Sequence, residues 1–295
     1  MQLKLLQYRS VYSQVIITVA QALFKSWFVD FDPVIDNALA AGKPIPEELQ
    51  ARAQRRQQQL AKADHQPLPD DLRQLFPREF EETEALGWVP KGWEIEALDK
   101  VAHYQNGLAL QKFRPENEDE YLPVLKIAQL KQGYADGKER ASSNIKASCI
   151  VDDGDVIFSW SGSLMVDIWC GSKAALNQHL FKVTSNDYPR WFYYWYTKHH
   201  LIEFQRIAAD KAVTMGHIKR EHLSQAKCCI PPPKIFDVIG ARMNSLLEKQ
   251  VLVRQEVKSL EKLRDTLLPK LISGELRLPE SMLNSETNPS ETAYE

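Results

Sequence analysis

The feature that most constrains the fold of this chain is a helical seam near its C-terminal end. Between residues 239 and 271 the seam positions alternate in spacing between four and three residues, and eight of the ten are apolar. These positions are Ile239, Met243, Leu246, Gln250, Val253, Val257, Leu260, Arg264, Leu267 and Leu271. A repeat of about 3.5 residues buries its apolar edge only against a second helix. The spacing therefore predicts a coiled-coil helix over residues 234–274, ended by Pro269 and Gly274, and implies a partner helix.

A second amphipathic segment lies near the N-terminal end. Apolar residues recur every three or four positions between residues 11 and 29, which predicts one face of a helix. We expect Asp32 and Pro33 to end this helix. The next residues, 33–90, are punctuated by prolines, and we interpret them as an extended connector with one short polar helix at about residues 46–63.

The middle of the chain has the pattern of a small globular domain. Short runs of strand-forming residues alternate with turns that contain glycine, asparagine and aspartate. A helix is predicted from Pro189 to about Ala208, and three prolines at 231–233 separate it from the C-terminal helix. The predicted strands cover residues 122–127, 150–151, 156–160, 165–169 and 180–183. The fold class is therefore α+β.

Composition and motifs argue against several classes of protein. The four cysteines form no CxxC pair, and no stretch of about 18 apolar residues or secretory signal occurs, so we expect a cytoplasmic protein outside the membrane. The signatures of phosphate loops, acyl-transfer serines and zinc hydrolases are absent, so no catalytic or metal site is predicted. The formal net charge is −2, and a small basic excess between residues 91 and 235 does not by itself indicate a polyanionic partner.

Two polar segments stand out because they follow or interrupt apolar sequence. Residues 159–161, Ser-Trp-Ser, end a predicted strand beside Gly162, and residues 177–179 are Asn-Gln-His. Asparagine and glutamine can contact adenine through two hydrogen bonds in the major groove, and histidine can reach a base or a phosphate. The same side chains could instead satisfy backbone groups in a β-bend. Both interpretations remain open at this point.

Basic and aromatic residues also have two interpretations each. The basic residues form two groups that could neutralise phosphates or could simply be a solvated surface. One group contains Lys126, Lys131, Lys138, Arg140 and Lys146, and the other contains Lys211, Lys219 and Arg220. The six aromatic residues at 191–196 cannot share one helix face, so core packing is favoured over base stacking. His199 and His200 point to different faces, which argues against a shared metal ion.

Five segments, taken in order, resemble the DNA specificity subunit of type I restriction-modification systems. No single segment is decisive, but their order along nearly the whole chain is. The segments are residues 20–33, 87–93, 154–162, 175–180 and 263–276, which read AQALFKSWFVDFDP, GWVPKGW, GDVIFSWSG, ALNQHL and LRDTLLPKLISGEL. Members of that family usually carry two target-recognition domains, each followed by a helical region. This chain contains one.

The resemblance implies a half-subunit, in which one globular α/β target-recognition domain is flanked by long helices that form an antiparallel coiled coil. The implied parts are an N-terminal conserved-region helix (1–32), the connector (33–90), the recognition domain (91–233), the C-terminal coiled-coil helix (234–274) and a disordered tail (275–295). Two copies, or one copy with another specificity fragment, would restore the usual pair of domains. A homodimer would read an inverted, bipartite site.

The resemblance also implies a role without catalysis. The recognition domain would bind double-stranded DNA, and the helices would dock the adenine methyltransferase subunit and, through it, the restriction subunit. S-adenosylmethionine would belong to that methyltransferase, so no cofactor is expected on this chain. Polar or basic residues at strand ends and loops are the predicted DNA contacts: Lys126, Gln129, Lys131, Ser159, Trp160, Ser161, Asn177, Gln178, His179, Thr214 and Lys219.

The alternative is a coiled-coil scaffold, or an inactive truncated relic, that binds the methyltransferase without reading DNA. An enzyme in its own right would need a site that no motif reveals. Sequence preference in DNA binding separates the first two possibilities, and turnover by the isolated chain would indicate the third.

Overall fold

The computed structural model of the chain describes residues 2–64, 66–117, 120–210 and 216–277. Its α-helices are α1 (Gln2–Phe24), α2 (Asp32–Ala40), α3 (Gln50–Leu60), α4 (Asp70–Arg73), α5 (Leu98–Val101), α6 (Ile127–Gln132), α7 (Arg190–Asp210), α8 (Arg220–Gln225) and α9 (Pro233–Ile272). A π-helical turn covers Lys25–Val29, and 3₁₀ turns cover Glu47–Leu49, Leu110–Lys112 and Ala147–Cys149. The strands are β1 (Phe80–Thr83), β2 (Gly87–Pro90), β3 (Glu94–Ala97), β4 (His103–Asn106), β5 (Tyr121–Leu125), β6 (Arg140–Ser142), β7 (Ile150–Val151), β8 (Val156–Ser159), β9 (Met165–Ile168), β10 (Ala174–Leu176), β11 (Leu180–Thr184) and β12 (Lys227–Ile230).

The strands form two four-stranded sheets and two strand pairs. The first sheet has the order β6-β5-β10-β7, in which β5 and β10 run parallel. The second sheet has the order β4-β11-β8-β9 and is antiparallel throughout. Strand β1 pairs with β2, and β12 pairs with β3. This mixture of helices and sheets confirms the predicted α+β class.

Apolar residues of the two large sheets meet in one core. The first sheet contributes Leu125 and Leu176, and the second contributes Ile157 and Leu180. Each of these four side chains is fully buried. The two sheets therefore share one hydrophobic cluster.

Helix α7 lies in the main core of the chain. Its residues 191–197 are all buried, which confirms that the aromatic run packs the interior. The ring of Phe28 lies 5.4 Å from that of Trp191, and the ring of Phe24 lies 4.9 Å from that of Tyr196, centroid to centroid. The Cys228 and Cys229 thiols are buried in the same core, and burial raises the pKa of Cys229 to about 12.

The Tyr196 hydroxyl joins three parts of the chain, so Tyr196→Phe is expected to be destabilising. It accepts a hydrogen bond from the Cys229 amide at 3.0 Å, and it lies 2.8 Å from the Cys229 carbonyl and 3.1 Å from the Phe28 carbonyl. Because its removal leaves buried backbone groups unpaired, we expect the free energy of unfolding to fall by about 1–3 kcal/mol in urea titrations. Tyr134→Phe is the control, since Tyr134 is half exposed. Equal stability of the two variants would contradict the prediction.

The N-terminal helix does not end as predicted. Helix α1 passes into the π-helical turn, Phe31 adopts a left-handed conformation at φ 55°, and a new helix begins at Asp32. Proline is well suited to the first turn of a helix, so Pro33 starts α2 here. The Asp32 carboxylate is buried, and it accepts hydrogen bonds from Ser26 and Arg52 at 2.7 Å.

The connector prediction for residues 33–90 was also wrong. The short helix expected at about residues 46–63 is present, but the stretch as a whole is folded and contributes to the main core. Its buried apolar residues in that core are Val34, Leu72, Phe76 and Val89. The prolines mislead because Pro46 and Pro69 directly precede helical turns, and Pro90 ends β2. Proline is compatible with each of these positions.

The seam predicted on the C-terminal helix is confirmed in position. Each of its ten residues in α9 is buried or half-buried. Gln250 is only 1 % exposed, and neither polar atom of its amide has a hydrogen-bond partner among the described residues. The helix continues past Pro269 to Ile272, because a proline in the last turn removes a single helical hydrogen bond. Gly274, at φ 77°, follows its end.

The described chain divides into two compact units. The larger is Val15–Val251, and the smaller combines the described residues of Met1–Gln14 and of Leu252–Glu295. In the larger unit, Phe24 of α1 and Met243 of α9 belong to one core. In the smaller unit, Arg9 forms an ion pair with Glu256 at 3.1 Å. Most of the predicted tail, from residue 278, lies outside the described residues.

Across the part of the chain that the structure describes, no helix combines the length and the apolar character that a membrane span requires.

Candidate nucleic-acid interface

A cavity of about 710 Å³ opens at one edge of the first sheet. Strands β5 and β10 are parallel, with Val124 beside Ala175 and Leu125 beside Leu176. Since parallel strands end at the same edge of a sheet, Lys126 and Asn177 leave the two strands next to each other. The polar residues that line the cavity are Gln111, Arg114, Lys126, Glu139, Arg140, Asn177, Gln178 and His179.

The structure thus brings four of the predicted contact residues together. Lys126 directly follows the last residue of β5, and residues 177–179 form the turn after β10. Sequence reasoning did not include Gln111, Arg114, Glu139 or Arg140 among the contacts. Arg140 belonged to a recognised basic group, but the other three had no distinguishing pattern around them.

The turn at residues 177–179 is held by its own backbone and by one side chain. The Asn177 carbonyl accepts a hydrogen bond from the Leu180 amide at 3.0 Å, and its side-chain oxygen accepts one from the His179 amide at 3.2 Å. Asn177 is 8 % exposed. The β-bend interpretation therefore describes Asn177, whereas Gln178 and His179 are half-buried and face the cavity.

The Ser-Trp-Ser segment supports the same turn from the second sheet. The Ser161 hydroxyl lies 3.0 Å from Nδ1 of His179, and the Trp160 ring centroid lies 6.1 Å from that of His179. Ser159 is fully buried, and its hydroxyl donates to the Ser161 carbonyl at 3.2 Å. Ser161 is 3 % exposed. Neither serine is accessible to DNA in this conformation, so their hydroxyls shape the site from within.

Three further predicted contacts, Gln129, Lys131 and Lys219, are described by the structure but do not line the cavity. Lys131, on α6, donates from Nζ to the Ser163 hydroxyl at 2.9 Å. Gln129 lies on the same helix, and its buried side-chain oxygen has no partner among the described residues. Lys219 precedes α8, and its backbone amide donates to Nδ1 of His222 at 3.0 Å. Thr214, and also Lys211 of the second basic group, lie outside the described residues.

Charge at the cavity is mixed. Lys126 and Glu139 form an ion pair, with Nζ 2.6 Å from Oε2. Arg140 lies over the ring of Tyr121, 4.1 Å from its centroid. Arg114 has no ion-pair partner among the described residues. The cavity therefore presents positively charged side chains, neutral amides and one carboxylate. This combination can bind phosphates and also read base edges.

His199 and His200 are not among the residues that line the cavity. Nε2 of His200 lies 3.0 Å from the Lys227 carbonyl, and burial lowers the pKa of His200 to about 4. Within the described ranges, no cluster of three or more histidine, cysteine, aspartate or glutamate side chains is arranged to hold a metal ion.

Comparison with known proteins gives consistent relatives. The family described as "Type I restriction modification DNA specificity domain" matches residues 90–262. The HindI specificity subunit of Haemophilus influenzae is 24% identical over 292 residues, a match that covers 90% of this chain and 62% of that protein. The MjaIX specificity subunit of Methanocaldococcus jannaschii is 22% identical over 285 residues, covering 94% of this chain and 56% of that protein.

Two solved structures are also similar to this chain. The HsdS subunit from Thermoanaerobacter tengcongensis has a TM-score of 0.40 at 15% identity, covering 89% of this chain and 58% of that one. The S subunit from M. genitalium has a TM-score of 0.45 at 12% identity, covering 91% and 58%. The chain spans less than two thirds of the length of these relatives.

Proposed function

Because the chain belongs to the type I restriction-modification DNA specificity domain family, we propose that it is a non-catalytic specificity subunit that reads one half of a bipartite DNA target. The observation that carries this proposal is the cavity at the ends of β5 and β10. It gathers Lys126, Gln178 and His179 beside a sheet edge that presents both cationic and amide groups.

The predicted contacts divide by their accessibility. Gln178 and His179 are the base-reading candidates, because they are partly accessible and carry donors and acceptors toward the cavity. Lys126, Lys131 and Lys219 suit phosphate contacts. Asn177, Ser159 and Ser161 are better suited to holding the turn, and Trp160 to packing against His179. Gln129 and Thr214 remain predicted contacts without a specific role.

The partners follow from the family rather than from the cavity. We propose that the long helices dock the adenine methyltransferase subunit, which would hold S-adenosylmethionine, and that the restriction subunit joins through it. A second copy of this chain, or another specificity fragment, would supply the other half-site. Three apolar side chains of α1 support a helical partner, since Tyr8, Val11 and Tyr12 are 65%, 59% and 38% exposed.

Gln178→Ala is expected to weaken specific DNA binding while leaving non-specific binding nearly unchanged. An amide that contacts a base edge contributes about 1–3 kcal/mol of discrimination, whereas phosphate contacts contribute equally on every sequence. The measurement is the ratio of affinities for target and random duplexes, at one stated salt concentration. Gln58→Ala, on the exposed face of α3, is the matched control and should keep the wild-type ratio. An equal loss on both duplexes would assign Gln178 to phosphate binding or folding.

The test of the function itself is methylation sequencing. DNA from cells that express this chain with its candidate methyltransferase subunit is compared with DNA from cells that express the methyltransferase alone. Adenine methylation at a bipartite inverted site, only when this chain is present, is the expected result. No difference between the two would favour the scaffold or relic alternative, and the association of the two proteins would then be measured directly.

A further inference from the structure

We propose that Glu139 is a specificity-determining residue that selects cytosine at one position of the half-site; this inference rests on the proposed function. Of the described residues that line the cavity, Glu139 is the only carboxylate. It lies beside Lys126 at the cavity wall, with side chains that are 60% and 41% exposed, respectively. Both are therefore accessible to a ligand that enters the cavity.

A carboxylate in a DNA-binding site carries a cost that has to be offset. The duplex is lined with phosphates, and an uncompensated negative charge near them is repelled. In the free chain, Lys126 compensates Glu139 by an ion pair. Lys126 cannot neutralise a phosphate and keep that ion pair in full. The carboxylate is consequently favourable in the complex only where it accepts a hydrogen bond from a base.

The sheet backbone holds Glu139 at the wall of the cavity. Its carbonyl accepts a hydrogen bond from the Val124 amide at 3.0 Å, and the next residue begins β6. Strand β6 pairs with β5 so that Arg140 lies opposite Pro123. This pairing holds Glu139 beside the edge of the sheet where Lys126 and Asn177 follow their strands. Gln178 and His179 line the same cavity.

The base chemistry distinguishes among the possible partners of a carboxylate. An ionised carboxylate only accepts hydrogen bonds. In the major groove, guanine presents two acceptors and thymine presents one, and both would repel it. Adenine offers a donor with an acceptor directly beside it, whereas cytosine offers its amino donor without one. Glu139 therefore favours cytosine.

The test uses the full chain with its candidate methyltransferase in cells, and reads the methylated motif for three variants. The unmodified chain is expected to methylate a motif with an invariant cytosine, or its paired guanine, in each half-site. Glu139→Ala should relax that position by about tenfold in the ratio of methylated sites, while every other position stays fixed. Glu139→Gln should move the same position toward adenine, which matches the two hydrogen bonds of an amide.

Glu203→Gln is the matched control, because Glu203 forms an exposed ion pair with Arg206 on α7, away from the cavity. It should leave the motif unchanged. The inference is overturned if Glu139→Ala keeps the same motif, if it alters methylation equally at all positions, or if both Glu139 variants abolish methylation although the purified proteins stay folded by circular dichroism. If the unmodified chain directs no methylation at all, the proposed function fails first and the inference fails with it.

Discussion

Gly107→Ala is expected to lower the free energy of unfolding by about 3 kcal/mol and to disrupt the Asn177 turn. A Cβ atom at this position would lie 2.3 Å from the Asn177 carbonyl oxygen and 2.4 Å from that of Leu176. Both atoms belong to backbone that is already hydrogen-bonded, including the bond from the Leu108 amide to the Leu176 carbonyl at 2.9 Å. The clash therefore cannot be relieved by turning a side chain.

Urea denaturation of the Gly107→Ala variant gives the stability, and on the proposed function the affinity for target DNA reports on the turn. Gly240→Ala is the control, because a Cβ there meets nothing closer than Nε1 of Trp191 at 3.8 Å. Gly240 lies within α9, where alanine is the better helix former by about 0.5–1 kcal/mol. The two glycine-to-alanine substitutions should consequently change the free energy of unfolding in opposite directions. A Gly107→Ala variant as stable as the unmodified chain would show that the close approach is absent in solution.

Acid is expected to destabilise the fold through His200. Burial is the main cause that lowers the pKa of this imidazole to about 4, and the nearby His199 acts in the same direction. In the unfolded chain the group titrates near 6.5, so between about pH 6.5 and 4 the unfolded state binds more protons than the folded state. Stability contributed by neutral His200 is complete above pH 6.5 and falls by up to about 3 kcal/mol as the pH drops to 4.

Unfolding free energies measured at several pH values between 7.5 and 4.5 check this prediction. His200→Gln should be less stable than the unmodified chain at neutral pH, because the hydrogen bond to the Lys227 carbonyl is altered, but it should lose less stability on acidification. His103→Gln is the control, since His103 is exposed on β4 and should retain the full pH dependence. An unchanged pH slope in His200→Gln would mean that other groups cause the acid sensitivity.

The sequence predicted the fold correctly where local periodicity determines which residues are buried. The 3.5-residue spacing in α9 identified buried positions as far apart as Ile239 and Val253, including the polar Gln250. The predictions failed where tertiary packing decided the outcome. Residues 33–90 were interpreted as a connector because prolines usually interrupt structure, yet here they begin helical turns that bury Val34 and Leu72.

The candidate site was predictable only in part, for a topological reason. Residues 177–179 attracted attention because polar side chains interrupt apolar sequence. Their proximity to Lys126 depends on the parallel pairing of β5 with β10, which joins segments that are distant in the chain and leaves no local pattern. Arg114 and Glu139 were missed for the same reason. The inward role of Ser159 was hidden because a strand residue can face either side of a sheet.

The main core limits how this chain can be cut or recombined. Phe28, before α2, contacts Trp191 in α7, and the Tyr196 hydroxyl spans from the Phe28 carbonyl to β12. Ile235 and Met243 of α9 complete the same core. On the ribosome, this core cannot close until the start of α9 has emerged, which makes folding depend on contacts of long sequence separation.

A gene exchange that replaced only residues 91–233 would pair foreign α7 aromatics with the resident Phe24 and Phe28. On the proposed function, new target specificities should therefore arise more readily by changes in the cavity residues than by transfer of the middle segment alone.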